Sequence, residues 1–300
     1  MPHSEKIPEI TLPMVDRFYQ KPDTRFVNSR DAIQVHAVSH PPKNYKEICY
    51  NMIKATWSDY PLSSLEAPMY TQQPSEEELH DTFLKLLKGE TLPNSMEALQ
   101  FVFCIDGITL QEVTHILRHR TFFSIHAQCS GDLWWSHHSA MIPNSIDQSK
   151  FAERYKQLTQ ACKQLYCDMI DSDEISIMDA RYILPRNLMT FYYVGMNLKD
   201  AIAFINQRKC TQIQPETDNI LAHQIYELIA NFIPEIREVV SMQCNKTCHY
   251  VRTANTGLAT NLYLPDKTHD IFDYNKNNFI YQKTRKEMGS IYDADNLQKE

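Results

Sequence analysis

Thr109-Leu110-Gln111-Glu112-Val113-Thr114-His115-Ile116-Leu117-Arg118-His119-Arg120, continuing into Thr121-Phe122-Phe123-Ser124, is the stretch on which the reading of the fold turns. Thr109 with Glu112 three residues on makes a capping box, in which each side chain satisfies one of the free N–H groups at a helix start. Leu110, Val113, Ile116 and Leu117 then recur at helical spacing, so the sequence predicts a helix running into Arg118. On such a helix His115 lies three and four positions before Arg118 and His119, which places the three on one face. Two guanidiniums around an imidazole are costly to bury alone, and each offers a planar fork of donors. The pattern therefore points to an anion, a phosphate or the polar edge of a heterocycle. The alternative is a solvated basic helix end stabilised by the helix dipole.

Working outward, Glu97 to Ile105 reads as a strand with Leu99, Phe101, Phe103 and Ile105 on one face, closed by an Asp106-Gly107 turn. Upstream, Ser75 and Glu78 form another capping box before Leu79, Phe83, Leu86 and Leu87, and Gly89 stops that helix. Further back, Ala32 to Ser39 alternates like a strand until Pro41-Pro42, and a helix can follow from Tyr45. Downstream, Phe151, Tyr155, Leu158, Cys162, Leu165 and Met169 mark a long amphipathic helix whose stripe is expected to pack in the core. A helix from Leu198 to Gln207 should bury Ala201, Ile202 and Ile205 and let Arg208 emerge at its end. Pro215-Glu216 opens a last helix through Ile220, Leu221, Ile225, Leu228, Ile229 and Phe232. The order of elements predicts an α/β (mixed α+β) domain over residues 31–260, with extensions at 1–30 and 261–300.

A net charge of -7 argues against a general nucleic-acid binder, because duplex affinity rests on neutralising phosphates, so any anion site must be local. Eight cysteines in 300 residues fall short of a disulfide scaffold, and with no signal-peptide pattern the expectation is a reducing cytoplasm. No apolar run is long enough to span a bilayer. His115 and His119 have the spacing of a metal pair, and His126, His137 and His138 follow, but Arg118 and Arg120 would repel a cation and no Glu accompanies the pair. Cys244, Cys248 and His249 lack a second ligand pair, so no metal is expected. Trp134-Trp135 could stack on a planar ring or simply pack.

A second segment, Ala180-Arg181-Tyr182-Ile183-Leu184-Pro185, is followed by Asn197-x-Lys199 and by Phe204-Ile205-Asn206-Gln207-Arg208, with Gln214 and Glu216 in register. Taken with Arg118-His119-Arg120 and Ser130-Gly131, the chain over roughly residues 33 to 235 resembles the flavin-dependent thymidylate synthases. His115 stands where that family usually has Gln, and Asp132 where it usually has Arg. The resemblance implies a mixed sheet flanked by helices and a homotetramer whose active sites are assembled between subunits. It also implies FAD as cofactor, methylenetetrahydrofolate and NADPH as co-substrates, and conversion of dUMP to dTMP without a cysteine nucleophile. By the same resemblance Arg118, His119, Arg120, His126, Asn197 and Lys199 would hold the flavin. His115, Ser130, Gly131, Arg181 and Arg208 would hold the pyrimidine nucleotide, and Arg208 would also stabilise charge on the polarised uracil. Each has a plainer alternative: Asn197 a helix cap, Arg181 a structural ion pair, Arg208 a helix-end cation. A hydroxymethyl product, another uridine nucleotide, or a non-catalytic homologue acting in binding or assembly are the rival outcomes.

Overall fold

A computed structural model describes residues 24–61, 63–71, 73–119, 122–127, 135–209 and 214–240. Its strands are β1 (Phe26–Asn28), β2 (Gln34–Ser39), β3 (Gln100–Thr109), β4 (Ser124–Ala127), β5 (Ala140–Ile142) and β6 (Met189–Asn197). The longer helices are α1 (Tyr45–Ala55), α2 (Glu76–Lys88), α3 (Leu110–Ile116), α4 (Ala152–Asp171), α5 (Leu198–Arg208) and α6 (Glu216–Phe232). The α/β expectation holds. Within it, the four-stranded sheet, in the order β2-β3-β6-β4, is antiparallel throughout, and the parallel pairing lies in a separate β1-β5 ladder.

β3 and β6 form the spine. Phe101 pairs with Met196, Phe103 with Val194 and Ile105 with Tyr192, all on the buried face, as the alternation in β3 predicts. That face packs on α1, α2, α5 and α6 through Phe83, Leu86, Ala201, Phe204, Ile205, Ile225 and Ile229. The opposite face leaves Val38, Phe191 and Tyr193 exposed at 58%, 37% and 38%.

Three expectations change. Asp106-Gly107 is no turn: β3 runs on to Thr109, and a register shift between Asp106 and Ile108 absorbs the extra residue. Gly107 makes this possible, because its φ of 73° is open to glycine and a Cβ there would collide with the Ala32 carbonyl oxygen. The strand expected from Glu97 starts only at Gln100, after a 3-10 turn over Pro93–Ala98. Only half of the α4 stripe turns inward: Tyr155, Cys162 and Met169 are partly buried, while Phe151, Leu158 and Leu165 are 59%, 57% and 47% exposed, and the buried side carries Thr159, Lys163, Tyr166 and Cys167. Those residues meet Trp135, Ala140, Ala180 and Leu188, with Lys163 Nζ donating to the His138 carbonyl at 2.7 Å. Helical period shows which residues share a face, and tertiary contacts decide which face looks inward.

Thr24 to Asp31 belong to the folded unit: Asn28 Nδ2 donates to Asp147 at 2.9 Å and Arg30 Nε to Glu216 at 2.7 Å. The extension placed at 261–300 and the Cys244, Cys248 and His249 group lie outside the described residues.

Candidate functional site

The capping box at Thr109 forms as read. The Glu112 carboxylate accepts from the Thr109 backbone N–H at 2.8 Å and from its hydroxyl at 2.6 Å. Its other oxygen accepts from the Thr217 hydroxyl at 2.7 Å, so Glu112, only 2% exposed, ties the start of α3 to the start of α6. These contacts satisfy a buried carboxylate with three donors.

α3 ends at Ile116, earlier than the sequence suggests, and a tighter turn follows in which the Arg118 and His119 N–H groups donate to His115 and Ile116. The three side chains expected on one face therefore diverge. His115 turns to α6, where its Nδ1 lies 2.7 Å from Asp218 Oδ2. Arg118 is exposed. His119 packs inward, stacked on Phe122 with ring centroids 5.2 Å apart and edge-on to Phe204 at 4.9 Å. Burial first, then the positive charge of Arg208, pushes the His119 pKa down to about 4, and its buried Nε2 has no hydrogen-bond partner among the described residues. His119 is thus a neutral, largely packed imidazole. Because His115 and His119 point to different partners, they do not form a metal pair. Among the described residues no group of three His, Cys, Asp or Glu side chains is placed to hold a metal ion.

Arg208 does not emerge. It is 4% exposed, with Nη1 donating to Gln214 Oε1 at 2.8 Å and Nη2 to the His115 carbonyl at 3.0 Å. Nη1 is also 3.6 Å from Asp218 Oδ2, while the buried Nε has no partner among the described residues. Asn219 Nδ2 donates to the Arg208 carbonyl at 2.6 Å. Burial lowers the Arg208 pKa, Asp218 opposes that shift and Arg118 adds to it. One guanidinium thus joins the ends of α3 and α5 to the first turn of α6, and one carboxylate, Asp218, faces both Arg208 and His115.

The second group of site residues lies at the β6–α5 junction. Asn197 caps α5, accepting from the Asp200 N–H at 2.9 Å and donating to its carboxylate at 2.8 Å. Lys199 pairs with Glu97 at 2.7 Å on a half-exposed surface, which together with Asp200 raises its pKa. The Phe123 N–H donates to the Gly195 carbonyl at 3.0 Å, which lays the chain just after Arg118-His119 along this junction. His126, on β4 opposite Tyr193, is exposed. Arg181, in the turn Arg181–Ile183, is half-buried. Arg120, Ser130, Gly131, Asp132 and Trp134 lie outside the described residues. Trp135 is packed, 3% exposed, with its ring 4.3 Å from that of His138.

This arrangement can be compared with known proteins. Residues 38–235, about two thirds of the chain, match the thymidylate synthase complementing protein family. The chain belongs to that family. Among curated relatives, it is 28% identical over 143 residues to a flavin-dependent thymidylate synthase from Geobacter sulfurreducens, spanning 47% of this chain and 61% of that protein. A second, from Thermococcus onnurineus, is 22% identical over 221 residues, 70% of this chain and 84% of the relative. The fold is similar to that of a UMP/dUMP methylase from Streptomyces cacaoi bound with 5-Br dUMP, at a TM-score of 0.57 and 14% identity over 72% of this chain and 96% of that one. It is also similar to a flavin-dependent thymidylate synthase from Helicobacter pylori complexed with FAD and dUMP, at 0.53 and 13% identity over 69% and 100%.

In this member of the family, the residues that sequence reasoning missed are Asp218 and Thr217. Asp218 and Asn219 are 1% and 0% exposed although they stand in the polar first turn of α6, a position where acidic residues ordinarily cap in solvent. The one available signal was Glu112 inside the capping box. A cavity of about 610 Å³ lies on the far side of Glu112 and Thr217, lined also by Met141, Ile146, Tyr155 and Leu158. Arg118, His119, Arg181 and Arg208 do not line it.

The flavin set fits a dinucleotide in part. His126 and Lys199 present exposed or half-exposed polar groups toward the β6–α5 junction, while Arg118 is exposed beyond the end of α3, on the side of Arg208. Asn197 and His119 are committed to capping and packing.

Proposed function

We propose that this chain is a flavin- and folate-dependent methylase acting at C5 of a uridine nucleotide, most simply dUMP to dTMP. The observation that carries the reading is the buried Arg208 at the end of α5, held by Gln214, Asp218 and the His115 carbonyl. A guanidinium fixed in a desolvated setting needs little reorganisation to stabilise negative charge developing on a polarised pyrimidine. Its Nε, without a partner among the described residues, is a donor still to be satisfied. Arg118, Arg120, His126 and Lys199 would hold FAD, with His119 and Asn197 supporting them. Arg181, Ser130, Gly131 and His115 would meet the nucleotide. When bound, FAD supplies the hydride that reduces the transferred carbon, methylenetetrahydrofolate supplies that carbon, and NADPH restores the reduced flavin.

The working form is proposed to be a cytoplasmic homotetramer. Two exposed apolar surfaces support assembly: the α4 stripe of Phe151, Leu158 and Leu165, and the open sheet face of Val38, Phe191 and Tyr193. No helix among the described residues is long and apolar enough to cross a membrane.

The test is spectroscopic. Purified protein titrated with FAD should develop a bound-flavin spectrum between 350 and 500 nm that changes when dUMP is added, a range set by the flavin itself (about 350–500 nm). Absence of flavin binding with and without dUMP would refute the reading.

A further inference from the structure

The cavity of about 610 Å³ beside Glu112 and Thr217 is used by nothing in the reading above. Its apolar walls are Met141 and Ile146 on and after β5, Tyr155 and Leu158 from α4, Pro185 before β6 and Pro215 before α6. The polar groups that line it are spent on other protein groups. Glu112 holds three donors, Glu216 pairs with Arg30, the Tyr155 hydroxyl donates to the Met141 carbonyl at 3.2 Å, and Thr159 Oγ1 accepts from Asn187 Nδ2 at 3.0 Å. Water in such a space finds few partners, so an apolar body that displaces it gains free energy. The volume falls in the range of about 300–1,000 Å³ that encloses a small organic molecule.

Arg186 stands apart from this pattern. It lines the same cavity, is exposed, and makes no hydrogen bond or ion pair among the described residues. The carboxylates on the wall, Glu112 and Glu216, are the two already satisfied. The cavity thus combines an apolar interior with a guanidinium that the protein itself does not claim. Tyr155 and the two prolyl rings offer flat surfaces against which a planar ring packs. The fork of Arg186 matches a carboxylate or sulfonate.

We propose that this cavity binds a planar aromatic monoanion, with its rings among Met141, Ile146, Tyr155 and Leu158 and its acidic group on Arg186. The site is distinct from the one proposed for the nucleotide, since Arg118, His119, Arg181 and Arg208 do not line it. The inference does not depend on the methylase reading.

Anilinonaphthalene sulfonate, an aromatic body with one sulfonate, is the probe, and phenylnaphthylamine, the same rings without the charge, is its control. Fluorescence titration of the full-length protein should show a single sulfonate probe bound per chain. Arg186→Gln should weaken the sulfonate about fivefold, the worth of one exposed ion pair, and leave the control unchanged. Cys162, a half-buried free thiol on the cavity wall, localises the probe: its modification by N-ethylmaleimide, read by peptide mass mapping, should slow when the probe is bound. Leu158→Trp, at a position 57% exposed, should fill the cavity and remove binding of both dyes, with a circular-dichroism melt to confirm folding. No binding, displacement of the probe by dUMP, several probes per chain without protection of Cys162, or an equal loss of both dyes in Arg186→Gln overturns the proposal. Shielding of Cys162 in protein alone that disappears on dilution also overturns it, because a second copy of the chain would then cover the cavity. The wild-type footprint at Cys162 stands by itself, so a misfolded variant does not remove the test.

Discussion

Arg208→Ala should destabilise the protein before it can report on chemistry. Arg208 is buried, donates two hydrogen bonds, to Gln214 and to the His115 carbonyl, and balances Asp218. Removing one partner of a buried charge pair costs about 3–5 kcal/mol, because the carboxylate left behind stays desolvated. His115 Nδ1, 2.7 Å from Asp218 Oδ2, remains as a hydrogen-bond partner of that carboxylate, which places the expected loss at the lower end, about 3 kcal/mol. For a folded unit of this size each kcal/mol moves the melting temperature by about 2–4 °C, so a fall of roughly 10 °C is expected. Urea denaturation and thermal melting without added ligand are the assays. Arg208→Lys keeps the charge but loses the fork, and should fold with a smaller loss while failing to support turnover. A melting temperature for Arg208→Ala within about 2 °C of wild type would refute the structural part of this reasoning.

His119→Phe should fold at least as well as wild type, since the ring lies between Phe122 and Phe204 with a buried Nε2 that has no partner among the described residues, yet it should weaken FAD binding measured by absorbance titration. The His119 pKa is lowered from 6.5 to about 4, so the unfolded chain binds the proton more readily; its contribution to stability is complete above pH 6.5 and is lost as pH falls toward 4. His119→Phe should flatten that part of the stability–pH curve, and an unchanged acid limb would count against it. For Glu235, burial raises the pKa, but hydrogen bonds from Tyr45, its own backbone and Lys46 outweigh burial and hold it below the usual value. Its stabilisation is present above the ordinary carboxylate range and lost on acidification, so Glu235→Gln should cost about 1–3 kcal/mol at pH 7 and much less in acid. Gly107→Ala should cost at least about 2 kcal/mol by denaturant titration, because a side chain at that positive φ also strikes Ala32.

The elements of this fold were largely legible because period and capping are local. The Thr109 box forms as read, Ser75 caps its helix while the Glu78 carboxylate turns to the Tyr50 hydroxyl, and β3 buries Phe101, Phe103 and Ile105. The direction of a face was not legible, as α4 demonstrates: half of its apolar stripe looks outward, while Lys163, fully buried, is held by a carbonyl 25 residues away in sequence. The candidate site was legible in residue type and less so in geometry. Arg208 and His115 were named, but Arg208 was expected to emerge, and Asp218 was passed over because an acidic residue in the first helical turn is ordinarily a solvated cap. Only the packing of α6 against α5 and the end of α3 turns that cap into a buried counter-ion shared by an arginine and a histidine. Asn197, read both as a flavin contact and as a cap, spends its side chain on the cap.

The central claim is that this chain, a member of the thymidylate synthase complementing protein family, transfers a reduced one-carbon unit to C5 of a uridine nucleotide. The most direct measurement incubates FAD-loaded protein with methylenetetrahydrofolate, NADPH and dUMP carrying tritium at C5, then follows tritium release and product mass together. The account predicts that tritium is released in step with a product heavier by one methylene group. Intact dUMP with its tritium retained, from folded and flavin-loaded protein, would contradict it.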